Sequence, residues 1–101
     1  VDVNVGVDYD ADIDATRKVL VDAAKKVQTR IEDEEVSAFL VGLGGSSVDW
    51  QVRVICNTDD YFACYEETVR AVKQALDEAN IGIPYPTRVV YNMPVEEEAA
   101  E

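Results

Sequence analysis

The first seven residues alternate strictly between valine and a polar residue or glycine. A period of two places successive side chains on opposite faces of an extended chain, which predicts a half-buried β-strand. Gly6 falls on the outer face, where a larger side chain would be tolerated, so its presence indicates a close backbone approach or a β-bulge. The predicted inner face consists of Val1, Val3, Val5 and Val7.

A helical period follows this strand. Asp10 or Asp12 can cap the helix, because a carboxylate accepts hydrogen bonds from the first free backbone amides. We predict an amphipathic helix over residues 13–30, whose C-terminal half carries the cations that the helix dipole favours there. Its apolar stripe consists of Ile13, Leu20, Ala24, Val27 and Ile31.

A β-hairpin is predicted in the middle of the chain. Two apolar segments, at residues 36–43 and 47–55, flank a Gly-Gly-Ser turn at 44–46, which is typical of a hairpin. Trp50 occupies an inward position of the second strand and is interpreted as a core residue. The first strand has apolar residues on both faces, which favours cover on both sides. Phe39, Val41 and Leu43 mark one predicted face, and Ala38 and Leu40 mark the other.

The clearest helical period in the chain begins after Asn57, with Thr58 or Asp59 as the predicted cap. Asn80 is predicted to end this helix in the left-handed conformation, with Ile81 folding back on the last turn. The apolar residues that recur at spacings of three and four are Phe62, Tyr65, Val69, Val72, Leu76 and Ala79.

The prolines at 84 and 86 cannot continue a helix, and a last strand is predicted over residues 87–93. The acidic tail at residues 94–101 is expected to be disordered. The body, residues 1–93, then has the order strand, helix, strand, strand, helix, strand. This order predicts a ferredoxin-like α+β fold, in which right-handed crossovers place both helices on one face of a four-stranded antiparallel sheet.

The charge balance disfavours several classes of function. The chain has 21 acidic and 9 basic residues and a net charge of −12, so its surface repels the phosphates of nucleic acids and of anionic membranes. It has no histidine, which excludes histidine-dependent triads, imidazole bases and His-ligated zinc. No segment approaches the roughly 20 apolar residues of a membrane-spanning helix. Because Val1 already lies in a predicted strand, we expect the chain to be a piece of a longer protein.

An alternating run of aspartates at residues 8–14 resembles the ligand spacing of a calcium loop. An EF-hand would also need Gly and Glu where this chain has Ile13 and Val19. Helix capping in a solvated turn is therefore the preferred interpretation, and weak divalent binding stays an alternative. Ser46 and Ser47 have no histidine to activate them as nucleophiles. We predict no enzymatic activity, no cofactor and no metal site.

The two cysteines lie at the edges of predicted elements. Cys56 ends a strand and Cys64 starts a helix, so the two thiols could approach each other. A helix N-terminus lowers the pKa of a nearby thiol. A small buried side chain is the preferred interpretation of each, because free cysteines are usually buried.

Three segments stand in a fixed order along the chain: Val-Gly-Val-Asp-Tyr-Asp-Ala-Asp-Ile at 5–13, Leu-Gly-Gly-Ser-Ser-Val at 43–48, and Ala-Asn-Ile-Gly-Ile-Pro-Tyr-Pro at 79–86. They are similar to the G-V-x-Y-x-x-D, L-G-x-S-S-V and A-G-I-x-I-P-[FY]-P segments of the cytoplasmic C-terminal domain of the MscS family of small-conductance mechanosensitive channels. The resemblance covers residues 3–93, and Asn80 stands in place of the usual glycine. The family-motif positions are Gly6, Tyr9, Asp12, Leu43, Gly44, Ser46, Ser47, Val48, Arg53, Asn80, Pro84 and Pro86.

This resemblance implies a role on the cytoplasmic face of the inner membrane. Members carry membrane-spanning helices and a small β domain upstream, and they assemble as homoheptamers. The matching region forms the wall of a hollow vestibule with side portals, and the strand matching 87–93 joins a small barrel at its base. Tension opens the pore, and ions and small solutes leave during hypo-osmotic shock. The isolated domain, itself soluble, is expected to be monomeric or weakly associated.

Two other functions are compatible with the residues alone. The first is a stand-alone ferredoxin-like regulatory domain that binds a small ligand or dimerises through its sheet. The second is a metal-dependent enzyme that uses the acidic run at 8–14. A parent gene with membrane-spanning helices upstream of Val1 would argue against the first, and titration with calcium and magnesium would test the second.

Overall fold

The computed structural model describes residues 1–84, so the predicted last strand at 87–93 and the acidic tail at 94–101 lie outside the described residues. The fold is α+β, with three antiparallel strands in the order β1-β3-β2 and two helices. This confirms that part of the predicted fold, while the fourth strand of the predicted sheet falls beyond residue 84. The elements are β1 (Asp2–Val7), α1 (Ile13–Lys25), β2 (Ser37–Leu43), β3 (Val48–Arg53), a 3₁₀ turn (Thr58–Asp60) and α2 (Tyr61–Glu78).

The central strand β3 and its neighbour β1 place one face of the sheet in the core. Val3 and Val7 are buried, as their alternation predicts. Trp50 is fully buried on the same face, which confirms its interpretation as a core residue. Leu20 of α1 and Leu76 of α2 belong to this same buried cluster, so both helices cover the face that the valines define. Neither helix within residues 1–84 has the length and apolar character needed to cross a membrane.

Strand β2 departs from the predicted alternation. Its register against β3 shifts between Leu40 and Gly42, so that Leu40 pairs with Trp50 and Leu43 pairs with Val48. The extra residue puts Leu43 on the same side of the sheet as Leu40, and the prediction that Leu43 shares a face with its odd-numbered neighbours is wrong. The predicted cover on both sides is also wrong within residues 1–84, because the exposed fractions of Phe39 and Val41 are 44% and 57%.

Helix α1 ends at Lys25, five residues before the predicted end at residue 30. The carboxylate of Glu67, on α2, accepts hydrogen bonds from the backbone amides of Gln28 (2.7 Å) and Thr29 (3.2 Å). It also accepts one from the Thr29 hydroxyl (2.8 Å). Because these amides are bound to a side chain 38 or 39 residues away, they do not extend the helix. Ile13 is likewise 45% exposed, so the apolar stripe begins later than predicted.

Replacing Glu67 with alanine should lower the free energy of unfolding by about 1–2 kcal/mol, since it leaves two loop amides without their charged acceptor. The Gln28 amide, more than any other group, lowers the pKa of Glu67 below its ordinary value of 4.5. A lowered pKa in the folded state means that the carboxylate stabilises the protein above about pH 4.5 and that this stabilisation disappears as the pH falls through the folded-state value.

Urea denaturation at pH 7 and at pH 3 measures this effect. The Glu67→Ala deficit should be present at pH 7 and shrink at pH 3. Glu66→Ala is the matched control, because it removes the same charge from an exposed neighbouring position on α2 and should change stability by less than about 0.5 kcal/mol. Equal losses in the two variants at pH 7 would contradict a specific role for the loop amides.

Helix α2 is present as predicted, but its cap and its buried face differ. Residues 58–60 form a 3₁₀ turn and Asp60 takes the N-cap position, so neither Thr58 nor Asp59 caps the helix. The prediction of a cap at those residues is wrong because the chain enters the helix through this tighter turn. The residues of α2 that the core buries are Cys64, Thr68, Val72 and Leu76.

Candidate functional site

Three chain segments distant in sequence meet at the end of β1. The Tyr9 hydroxyl donates a hydrogen bond to the Gly44 carbonyl in the β2–β3 hairpin. The backbone amide of Asp8 donates to the carbonyl of Gly82, beyond α2, at 2.9 Å. The loop after β1 therefore joins the hairpin on one side to the chain leaving α2 on the other. Each of the three motif segments contributes at least one of these contacts, and we refer to the meeting point as the junction.

The hairpin side of the junction is tightly packed around Ser47. Its hydroxyl donates to Asp49 Oδ1 at 2.7 Å, and its carbonyl accepts from the Gly44 amide at 2.7 Å, which closes the turn. Gly6 pairs with Asp49 across the strands, and a Cβ atom added to Gly6 would lie 2.8 Å from Ser47 Oγ and 3.0 Å from Ser47 Cβ. The predicted reason for glycine was a backbone approach or a bulge. The structure shows crowding by a side chain instead, and the bulge lies in β2.

The first motif segment continues into α1 through Asp12. Its carboxylate accepts a hydrogen bond from the Ala15 amide at 2.8 Å, which decides the predicted alternative between Asp10 and Asp12 in favour of Asp12. The Thr16 hydroxyl donates to the Asp12 carbonyl at 2.7 Å. Capping thus orients α1 directly after the junction. Within residues 1–84, no three acidic or cysteine side chains gather as ligands for a metal ion.

The third segment reaches the junction through a tight helix ending. Asn80 has φ 60°, the left-handed conformation predicted for it. Its amide donates to Asp77 (3.2 Å) and the Ile81 amide donates to Leu76 (2.9 Å), both to backbone carbonyls. These two bonds form a Schellman motif, which asparagine permits because it tolerates positive φ. The chain therefore reverses within two residues and delivers Gly82 to Asp8.

The remaining motif positions lie in the β2–β3 hairpin, at the far end of β3 and in the chain after α2. Val48 is buried under the hairpin, while Ser46 and Pro84 are half-buried. Arg53 lies at the opposite end of β3, where its Nε donates to Asp2 Oδ1 at 2.8 Å and its guanidinium stands 5.6 Å from the ring centre of Phe39. The hydrogen bond from Arg53 lowers the pKa of Asp2. Arg53 therefore connects the outer strands across β3. Pro86 lies outside the described residues.

Helix α2 leaves a second apolar surface uncovered within residues 1–84. The exposed fraction of Phe62 is 84%, and those of Tyr61, Tyr65 and Val69 are 44%, 41% and 41%. The ring of Tyr61 packs edge-on against Phe62 at 5.4 Å between centroids and is stacked with Tyr65 at 6.5 Å. We call these four residues the aromatic stripe. Neighbouring exposed apolar side chains of this kind are typical of interaction sites.

Comparisons with known proteins agree on one family. The family model described as "Mechanosensitive ion channel MscS, C-terminal" matches residues 1–83. The chain is 41% identical over 91 residues to a protein of Edwardsiella ictaluri named "Small-conductance mechanosensitive channel", covering 90% of the chain and 32% of that relative. It is 38% identical over 95 residues to an uncharacterized MscS family protein of Synechocystis, covering 90% of the chain and 31% of the relative.

A solved structure agrees in fold. The closed-state crystal structure of Helicobacter pylori MscS superposes with a TM-score of 0.78 at 22% identity, over 97% of this chain and 38% of that one. The chain spans about a third of the length of the curated relatives that it matches.

Proposed function

The chain belongs to the MscS family of mechanosensitive ion channels, as a C-terminal domain, and from this premise we propose that it forms part of the wall of a vestibule on the cytoplasmic side of the inner membrane. The match of the family model over residues 1–83 carries this proposal. In this role the domain lies below a pore that opens under membrane tension and releases ions and small solutes on hypo-osmotic shock. The pore and the tension sensor belong to the part of the full-length protein that this chain does not match. The motif residues of the junction act structurally, by holding the domain in one shape.

The proposed wall is a ring of identical subunits, seven in number by analogy with the family. A ring that closes by rotation requires two different complementary surfaces on each subunit. The aromatic stripe on α2 supports one of them. The exposed side chains of Val41 and Leu43, on the hairpin, support the other. The stripe is therefore proposed to contact the hairpin of the next subunit.

The acidic surface supports a filtering role for the wall. A net charge of −12 on each domain makes the enclosed space attractive to cations and unfavourable to anions, most strongly at low ionic strength. The proposed vestibule would thus admit cations to the pore more readily than anions.

Patch recordings of the full-length protein, expressed in cells that lack their own mechanosensitive channels, test the function. Suction should open discrete conductance steps, and the cells should survive hypo-osmotic shock. Phe62→Asp in the same protein should lower both the assembled fraction and the survival by about tenfold, because a charge replaces a central interface aromatic. Gln74→Asp is the control, since it adds the same charge at another exposed position of α2.

Two outcomes would contradict the proposal at different levels. Absence of tension-gated current from protein that has reached the membrane would contradict the channel function. Normal current with equal assembly of the Phe62→Asp and Gln74→Asp variants would leave the channel function in place and contradict the role of the aromatic stripe.

A further inference from the structure

The outer edge of β2 is open within residues 1–84. β2 lies at one end of the strand order β1-β3-β2, so no strand in that part of the chain pairs with its other side. The backbone amides and carbonyls on that side are donors and acceptors that an additional strand can use. Four of the seven side chains of β2 are apolar and exposed, with exposed fractions from 39% to 73%. They are Phe39, Leu40, Val41 and Leu43.

The charge pattern separates this edge from the rest of the surface. Residues 36–48 carry no charged side chain, the longest such stretch in a chain whose net charge is −12. Natural edge strands commonly carry charges or prolines that prevent pairing with other chains, and β2 has neither. The other edge strand, β1, carries Asp2, and the amide of Asp8 directly after it is bonded to Gly82. Of the two edges, only that of β2 is both open and uncharged.

The register of β2 leaves apolar side chains on both faces at this edge. Leu40 pairs with the buried Trp50, so it lies on the helix side of the sheet, and the bulge after it brings Leu43 to the same side. Phe39 pairs with Gln51 on the opposite face. A strand added at this edge would therefore gain apolar contacts on both faces of the sheet, in addition to its backbone hydrogen bonds.

We propose that the outer edge of β2 is a self-association surface, which pairs antiparallel with β2 of a second copy of this chain. Two features select a second copy as the partner. Identical antiparallel strands are related by a two-fold axis, so each edge supplies the donors and acceptors that the other needs. Two chains of net charge −12 repel each other, and the uncharged stretch at 36–48 is where that repulsion is smallest. The product is one continuous sheet with three strands from each copy.

The pairing should be weak and should strengthen with salt. We expect one seven-residue strand to bury less than the roughly 800 Å² per partner of a stable complex, so the dimer forms only at high protein concentration. Salt screens the repulsion between the two acidic chains. The inference goes beyond the proposed function and does not depend on it. A closed ring uses two different surfaces of each subunit, whereas β2 pairs with itself, so the two arrangements are alternatives for the hairpin.

Sedimentation velocity of the chain over a range of protein concentrations, at low salt and at about 0.5 M salt, tests the inference. At high salt the mass should rise toward twice the 11.2 kDa of one chain and stop there, because isologous pairing is complete at two copies. Val41→Lys should weaken the dimer by about tenfold or more, since it brings two like charges together beside the two-fold axis.

Phe62→Lys is the matched control, because it makes the same charge change at an exposed position of α2 and should leave the dimer intact. Both variants reduce the net negative charge equally, so a loss in Val41→Lys alone does not come from overall repulsion. Circular dichroism of both variants establishes that they are folded.

Amide hydrogen exchange of the unmodified sequence gives a second readout that needs no variant. The β2 amides that point away from β3 should exchange several-fold more slowly under the conditions that give dimers. The inference is wrong if these amides gain no protection, if the chain keeps the mass of one copy at high salt, or if it forms assemblies larger than two. It is also wrong if the dimer survives Val41→Lys, or if both variants lose it, since the second result assigns the contact to the aromatic stripe and the hairpin.

Discussion

Replacing Trp50 with alanine should lower the free energy of unfolding by about 3–5 kcal/mol, the largest effect expected for a single substitution in this domain. Trp50 is fully buried in the central strand of the sheet. The guanidinium of Arg17, on α1, stands 5.4 Å from its ring centre. Removing the indole leaves a cavity between the sheet and the helices. Because a domain of this size is stable by roughly 5–15 kcal/mol, the variant should be partly unfolded at 37 °C. Urea denaturation followed by circular dichroism measures the loss.

Trp50→Phe separates the volume of the side chain from its polar atom. The indole Nε1 is buried and has no hydrogen-bond partner among residues 1–84, so phenylalanine loses packing but no hydrogen bond within that part of the chain. The ring under Arg17 is retained. We expect a loss below about 2 kcal/mol. If Trp50→Phe costs as much as Trp50→Ala, the N–H group and not the packed volume is the main contribution, and the cavity explanation is wrong.

Replacing Gly6 with valine should destabilise the domain by about 2–3 kcal/mol, because the new side chain has no room. Its Cβ alone would stand 3.0 Å from Ser47 Cβ, and Ser47 is held in place by its hydrogen bond to Asp49. Either the hairpin turn moves away from β1 or the Ser47–Asp49 bond breaks. The melting temperature and the urea midpoint of the variant measure the loss.

Gly42→Val is the matched control for Gly6→Val. A Cβ added at Gly42, in β2, would meet no atom within 4 Å, so the same substitution there should change stability by less than about 0.5 kcal/mol. A double-mutant cycle with Ser47→Gly refines the test, since removing the obstructing side chain should make Gly6→Val less costly. Equal losses at Gly6 and Gly42, or strict additivity in the cycle, would contradict crowding at the junction.

Much of the sheet could be predicted from the sequence because its signal is local. The alternation in β1 and around Trp50 depends only on which residues follow each other, and it placed the inner faces of β1 and β3 correctly. The bulge after Leu40 could not be predicted in the same way. Both faces of β2 carry apolar residues, so an extra residue leaves the pattern of hydrophobicity almost unchanged while it reverses the direction of Leu43.

The helices show a different limit. The existence of α2 followed from its period, but Phe62 and Tyr65 compete with Cys64 and Thr68 as candidates for the buried face. A helix with two apolar faces is oriented by what it packs against, and that information is not local. The end of α1 was placed too late for a similar reason, because the group that binds its following amides, Glu67, lies on another helix.

The junction could be anticipated only through family resemblance. The three motif segments were recognised as an ordered set, and Asn80 was correctly expected in the left-handed conformation from its position after a helix. The contacts that unite the segments, from Tyr9 to Gly44 and from Asp8 to Gly82, depend on the way the sheet and α2 are arranged. No spacing in the sequence indicates them.

The position of Gly82 beside the end of β1 has a mechanical consequence. Val1, directly before β1, is fixed by two backbone hydrogen bonds with Val54, at 2.8 and 2.9 Å. A pull between Val1 and Gly82 therefore runs along β1 and loads its hydrogen bonds to β3 in parallel, as in shear. Bonds loaded in parallel share the force, whereas bonds peeled from one end break in turn. Gly82 follows closely after the end of α2, so stretching the domain from these two points loads the pairing of β1 with β3 together with the hydrogen bonds that close the C-terminal end of α2.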